Sequence, residues 1–253
     1  MDMLKIEGIN KEYLQRDESR LPVLEGITME VKEGEIVSLV GPSGCGKSTL
    51  LDIIAGLTIP DRGKVWIGEE EVTGKKGKVS YMPQNDLLFP WRTILDNVIL
   101  PLQLAGLSTN KAREEGRRLL PLFGLEGFAE SYPSMLSGGM RQRAALLRTY
   151  LIQKDPILLD EPFGRLDALT RAEMQKWLLT IWEKMRRTIL LVTHDVEEAI
   201  FLSDRIYLLS PRPGRVLKEV IVPLPRPRTE RMKTEEDLIE IKRILLEALE
   251  NKG

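Results

Sequence analysis

Eight consecutive residues, Gly41-Pro42-Ser43-Gly44-Cys45-Gly46-Lys47-Ser48, carry the clearest chemistry in the chain. They fit G-x-x-x-x-G-K-[ST] without mismatch, a spacing whose glycines let successive backbone N–H groups turn inward around phosphate oxygens. A helix opening at Ser48 aims its positive end at the same anion. Lys47 is placed to reach β- and γ-phosphates, Ser48 to put its hydroxyl on Mg²⁺, and Thr49 to cap an α-phosphate. Cys45 reads as a small loop residue rather than a reactive thiol, although the lysine and the helix terminus would act to lower its pKa.

A second group lies over a hundred residues on. Ile157-Leu158-Leu159-Asp160-Glu161-Pro162 is an apolar run ending in two carboxylates. An Asp at a strand's C-terminal end beside a phosphate loop is placed to hold Mg²⁺, directly or through water. Alternation along the strand turns Glu161 elsewhere, toward a water it can polarise for in-line attack on the γ-phosphate. Alone, the pair would read as solvated acids; the phosphate loop upstream favours the catalytic reading. Pro156, lacking an N–H, stands where a strand's first residue tolerates that loss.

These groups need a scaffold. Leu4–Ile9, Ile27–Val31 and Val65–Ile67 are β-rich runs, the first two joined by the polar stretch Gln15–Arg20. Ile36–Val40 is apolar except for Ser38, the pattern of a strand covered on both faces, and it leads through the glycine-rich turn into a helix over Ser48–Ala55. From Asn85 to Leu151 the spacing turns helical, with Leu95, Val98, Ile99 and Leu102 recurring and then Ala144, Leu147, Arg148 and Leu151. Alternation then resumes: strand Ile157–Leu159, helix Ala172–Met185, strand Thr188–Thr193, helix Val196–Leu202, strand Arg205–Leu209. The Pro- and Arg-rich stretch Arg212–Arg228 is expected to be irregular. Thr234–Glu250 reads as a closing amphipathic helix with Leu238, Ile241, Leu245 and Leu249 on one stripe. The result is an α/β core interrupted by a helical insertion.

Composition narrows the classes. With 253 residues and 42% hydrophobic content the chain can bury a sizeable core, and its formal net charge of −1 gives no polyanion footprint, so no nucleic-acid partner is expected. One cysteine excludes an intrachain disulfide and a multi-cysteine zinc site, and one histidine, His194, must serve any imidazole chemistry. The first residues lack the apolar stretch of a signal peptide, and no apolar run approaches the roughly 20 residues that span a bilayer. A cytoplasmic location is expected, with any membrane role exercised by docking on another chain.

Leu136-Ser137-Gly138-Gly139-Met140-Arg141-Gln142-Arg143 makes the reading specific. A serine and two glycines opening a helix make a second anion-binding terminus, although elsewhere such a tripeptide would be an ordinary N-cap. The segment resembles the LSGGQ signature of ABC ATPases, with Met140 where Gln is usual. The other elements of that family follow in order over about Leu4 to Ser210. Tyr13 matches the adenine-stacking aromatic, Gln84 the glutamine that touches Mg²⁺ or the attacking water, Asp167 the D-loop aspartate and His194 the switch histidine at the γ-phosphate. Arg165 departs from the alanine usual before Leu166, in a loop that lies at the family's dimer interface.

The resemblance implies a P-loop NTPase (RecA-like) α/β core with an N-terminal antiparallel β-subdomain and an inserted α-helical subdomain. It implies boundaries at 1–84 and 152–210 for the core, 85–151 for the signature-bearing insertion and 211–253 for a C-terminal extension. It further implies an ATPase using ATP and Mg²⁺, in which a homodimer, or a heterodimer with a similar cassette, sandwiches two nucleotides. Each would lie between one protomer's phosphate loop and the other's Ser137–Gly139. Transmembrane permease subunits would be the direct partners, with an extracytoplasmic solute-binding protein engaged indirectly, at the cytoplasmic face of the inner membrane. In the family the stretch Asp86–Val98 contacts the membrane subunit, so Leu87–Arg92 is expected to form an exposed docking patch, with Leu95 and Val98 read as core. With Phe163–Arg171 and Ser210–Arg215, that stretch resembles the nitrate/sulfonate/taurine-type importers. The alternatives are an ABC-type ATPase of another transporter class and a soluble one acting on DNA or ribosomes. The latter usually carries coiled-coil insertions or paired cassettes, neither of which fits this length.

Overall fold

The computed structural model of the chain describes residues 2–229, 232 and 236–250. In chain order, β1 (Asp2–Leu14) and β2 (Arg20–Lys32) form an antiparallel hairpin. Both outrun the predicted segments because exposed polar residues such as Glu12 and Arg20 continue the ladder past the apolar stretch. β3 (Ile36–Val40), buried at every position, runs through the glycine-rich loop into α1 (Lys47–Ile54). β4 (Arg62–Ile67) pairs antiparallel with β1, and β5 (Glu70–Glu71) closes a four-stranded sheet of order β2-β1-β4-β5.

β6 (Ser80–Met82) is followed by a non-helical stretch and then by four helices, α2 (Ile94–Val98), α3 (Leu100–Leu104), α4 (Thr109–Leu119) and α5 (Gly138–Tyr150). Helix was expected from Asn85, but it begins only at Ile94. Buried Asn97 explains the difference: its Oδ1 accepts from Phe89 N at 2.7 Å, and its Nδ2 donates to the carbonyls of Phe89, Arg92 and Thr93. That side chain satisfies backbone groups a helix would otherwise have to pair.

The chain continues through β7 (Ile157–Asp160), α6 (Ala168–Met185), β8 (Ile189–Thr193), α7 (Val196–Leu202), β9 (Arg205–Leu209), β10 (Val216–Ile221) and α8 (Glu236–Glu250). α6 starts four residues before the predicted Ala172: Asp167 Oδ1 accepts from Thr170 N at 3.0 Å and caps an extra turn whose exposed Ala168 and Leu169 carry no apolar periodicity. Pro156 precedes β7 and offers its carbonyl to Ser80 N. The stretch expected to be irregular contributes β10, antiparallel to β9. Leu238, Ile241 and Leu245 of α8 are buried beside Val220 and Leu224, with Leu249 packed on them; Thr234 lies outside the described residues.

The second sheet has the order β10-β9-β3-β8-β7-β6, parallel except at β10. Alternation along its central strands feeds two cores. Ile36, Leu159 and Leu191 join the helical insertion and α6, whereas Val37, Leu39, Leu158, Leu190 and Val192 join α1 and the antiparallel sheet. With both faces covered, only the strand ends are open to a ligand. In parallel sheets that crevice lies outside the carboxyl ends.

Candidate active site

The phosphate loop leaves β3 and is backed by β2. Gly46 has φ +106°, and a Cβ there would stand 2.6 Å from Leu24 Cδ2 and 3.0 Å from Val23 O, so glycine alone fits in conformation and in space. Lys47 opens α1 and is buried; its Nζ donates to Gly41 O at 2.7 Å and Pro42 O at 2.9 Å. The ammonium is thus held over the loop by the loop's own carbonyls. Ser43, Gly44 and Ser48 face solvent, with Thr49 half-buried beside them. Cys45 is buried, and burial pushes its thiol above the usual range, with the charge of Lys47 acting the other way.

Asp160, the last residue of β7, is also buried. Burial raises its carboxyl above the ordinary range; a hydrogen bond with Ser48 opposes this, the charges of Glu161 and Asp52 add to it, and Lys47 pulls the other way. Its Oδ1 has no hydrogen-bond partner. An unsatisfied buried carboxylate oxygen beside a serine hydroxyl suits a hard divalent cation that keeps water and phosphate as its other ligands. Among the described residues no three His, Cys, Asp or Glu side chains gather into a metal cage, which a phosphate-borne Mg²⁺ does not need.

Glu161 diverges from Asp160 for a reason other than strand alternation. The strand has ended, Glu161 sits at φ +44°, and its N donates to Val192 O at 2.9 Å. This left-handed turn, uncommon for a side chain of that length, aims the carboxylate along the strand ends. There Oε2 accepts from Gln84 Nε2 at 2.9 Å, and Oε1 lies 3.3 Å from His194 Nδ1. Gln84, Glu161 and His194 therefore converge from just past β6, β7 and β8, three adjacent strands, with β3 and its loop next in the sheet.

The remaining predicted residues sit elsewhere. Tyr13, partly exposed near the end of β1, has Lys11 Nζ 5.4 Å from its ring centroid, and that lysine is paired with Asp61 at 3.1 Å. Ser137 is exposed and caps α5, its Oγ accepting from Met140 N at 3.3 Å. Gly139 is buried against α6, where a Cβ would stand 3.0 Å from Thr170 Cγ2. No hydrogen bond or ion pair among the described residues joins Ser137–Gly139 to the Glu161 cluster. Asp167 is exposed at the cap of α6, and Arg165 faces solvent beside it.

Two arginines were not anticipated as part of this region. Arg148 of α5 donates to Leu87 O at 2.7 Å and also to Asp86 O, while Arg141 Nε stands 3.4 Å from Asp86 Oδ2. They pin the segment after Gln84 to the helix that Ser137 caps. The exposed stretch expected over Leu87–Arg92 is only partly exposed: Leu87 and Trp91 are open, Phe89 is half-buried against Trp91 at 5.3 Å, and Leu88 is in the core.

The sequence profile of the ABC transporter family matches residues 24–164. The aliphatic sulfonates import ATP-binding protein SsuB of Bacillus cereus is 40% identical over 250 residues, spanning 99% of this chain and 97% of its own length. The formylaminopyrimidine import ATP-binding protein ThiZ of Halalkalibacterium halodurans is 46% identical over 222 residues, 88% of this chain and 85% of its own. Among solved structures, a dimeric post-hydrolysis state of the ATP-binding cassette MJ0796 bound to ADP and Pi superposes with a TM-score of 0.76 at 32% identity, over 88% of this chain and all of that one.

Proposed function

The chain belongs to the ABC transporter family of ATPases, and from that premise we propose that it is the ATP-hydrolysing subunit of an importer for a small solute, working as a dimer that closes on two nucleotides. The observation that carries this reading is the convergence on one carboxylate: Glu161 takes Gln84 on one oxygen and His194 on the other, at the strand ends beside the loop that holds Lys47.

Lys47 exchanges the carbonyls of Gly41 and Pro42 for β- and γ-phosphate oxygens, while the backbone N–H groups from Ser43 to Thr49 line the rest of the phosphate chain. Ser48, Asp160 and Gln84 would hold Mg²⁺, whose charge, when bound, neutralises the phosphate oxygens. Glu161 orients the attacking water and accepts its proton; Gln84 and His194 fix the direction of that carboxylate. With Nδ1 turned to Glu161, His194 leaves Nε2 to meet the γ-phosphate. Tyr13 stacks on adenine.

The second side of the sandwich comes from another copy. Ser137 spends its oxygen on the Met140 cap, and the N–H groups of Gly138 and Gly139, which precede the first intrahelical bond, make no hydrogen bond to a loop or side chain among the described residues. In the dimer they grip the partner's γ-phosphate, with Asp167 and Arg165 at the interface. Residues 1–84 and 152–210 act as the catalytic core and 85–151 as the signature subdomain, while 211–253 extend the core. No helix of the described residues is long and apolar enough to cross a membrane. Attachment to the cytoplasmic face then runs through permease subunits seated on Leu87 and Trp91, with a solute-binding protein engaged beyond them. Relatives named for sulfonate import and for formylaminopyrimidine import are 40% and 46% identical to this chain; the solute itself meets the other subunits.

Size-exclusion chromatography of Glu161→Gln with ATP and Mg²⁺ tests the reading. A stable dimer that retains nucleotide without turnover is expected, and adding Ser137→Arg should dissolve that dimer while each protomer still binds ATP. A persistent monomer for Glu161→Gln at saturating ATP would overturn the sandwich.

A further inference from the structure

Next to His194 lies a buried polar cluster to which the hydrolysis reading assigns no task. Glu198, on the first turn of α7, accepts from Gln175 Nε2 at 3.0 Å, and both side chains are buried. Thr193 also hydrogen-bonds the Glu198 carboxylate. Asp195 caps α7 by accepting from Glu198 N at 3.1 Å, and its own N donates to Thr193 Oγ1 at 3.0 Å. His194 is therefore flanked on both sides by residues bonded to Glu198. On the α6 side, one turn before Gln175, Arg171 Nη2 donates to Leu166 O at 3.0 Å, and its Nη1 stands 3.9 Å from Asp195 Oδ2.

A carboxylate placed between two packed helices lowers stability relative to an apolar side chain of the same volume. What it provides here is direction. An apolar pair at 175 and 198 would fill the same space without fixing the turn between β8 and α7, whereas two hydrogen-bonded partners on the Glu198 carboxylate, with Asp195 on its backbone N–H, leave that turn a single arrangement.

We propose that Gln175 and Glu198 are positioning residues for hydrolysis: they lock the Thr193–Asp195 turn so that His194 keeps Nδ1 on the Glu161 carboxylate, and Arg171 ties that turn to the Leu166–Asp167 loop. The proposal rests on the assignment of Glu161 and His194 to hydrolysis. Both residues act through His194 and touch neither nucleotide nor water.

The test is single-turnover ATP hydrolysis by Gln175→Leu, Glu198→Ala and Glu198→Gln, each made in the wild-type and in the His194→Ala backgrounds. Gln175→Leu and Glu198→Ala are expected to slow hydrolysis about tenfold while KM for ATP stays within about twofold. Glu198→Gln, whose carbonyl still accepts from Gln175, should restore most of the rate. In the His194→Ala background the same changes should slow hydrolysis no further, because their route is already cut. An unchanged rate in folded Gln175→Leu, or effects that multiply with His194→Ala, would overturn the proposal. If Glu198→Ala does not fold, Gln175→Leu and Glu198→Gln complete the cycle. Wild-type turnover in Glu161→Gln would instead sink the site assignment, independently of positions 175 and 198.

Discussion

Gln84 donates to Glu161 across 2.9 Å, joining residues 77 positions apart at the ends of two neighbouring strands. The segment that follows Gln84 is in turn held by Arg148 and Arg141 of α5. A displacement of α5 therefore reaches the carboxylate through two short steps, an arginine–carbonyl bond and a carboxamide–carboxylate bond. The helix that Ser137 caps and the Glu161 carboxylate are parts of one hydrogen-bonded unit.

Removing the Gln84 side chain takes away that donor together with the oxygen proposed to hold Mg²⁺, and the split between kcat and KM shows which loss dominates. Gln84→Ala leaves one Glu161 oxygen free to rotate toward solvent, so kcat is expected to fall about ten- to a hundredfold while KM for ATP stays within about twofold. Steady-state ATPase measurements separate the two parameters. An equal loss carried entirely by KM would make Gln84 a nucleotide ligand rather than an orienter of Glu161.

Asp160 gives a prediction in pH. Burial holds its carboxyl above the ordinary range, so the folded chain binds that proton more tightly than the unfolded chain does. The associated stability is fully present below the unfolded pKa and is lost as pH rises through the folded one. Asp160→Asn has no charge to desolvate. Its Tm, measured without nucleotide, should gain on wild type as pH climbs from about 4 to about 8. The same variant should lose the extra stabilisation that Mg²⁺ adds to nucleotide in the wild type. A Tm difference that stays flat with pH would contradict the raised carboxyl.

The parts of this molecule visible in its sequence are those set by short-range pattern. β3, β7 and β8 are apolar but for one polar residue each because both faces of each are covered, and Gly46 and Lys47 declare themselves by spacing. Features set by tertiary contact were hidden. β10 carries Lys218 and Glu219 outward at a sheet edge and sits among prolines, so its pairing with β9 leaves little periodic trace. The direction of Glu161 depends on a left-handed turn that no residue type announces. Gln175 was legible in principle, as a polar residue three positions before the buried Leu178 on the inner face of α6. Its partner Glu198 sits in an ordinary acidic first turn, so only the packing of two helices shows that the two meet.

The stretch after Gln84 separates core from surface residue by residue, and two substitutions read the division. Leu88 lies among Ile94, Leu95 and their neighbours with 7% of its surface exposed, whereas Trp91 retains 71%. Leu88→Ser removes a buried side chain and leaves a hydroxyl in its place, so unfolding free energy is expected to fall by about 2–5 kcal/mol. Trp91→Ser takes an exposed ring off Phe89 and should change stability by only about 0.5–1.5 kcal/mol, the size of one aromatic pair. If Trp91 seats a permease subunit, its substitution should abolish co-purification from detergent-solubilised membranes while the melting curve stays close to wild type. Denaturant titration of both variants, read beside that co-purification, tests the assignment. A Trp91→Ser protein as unstable as Leu88→Ser would place the ring in the core, and full co-purification of folded Trp91→Ser would move the docking surface elsewhere.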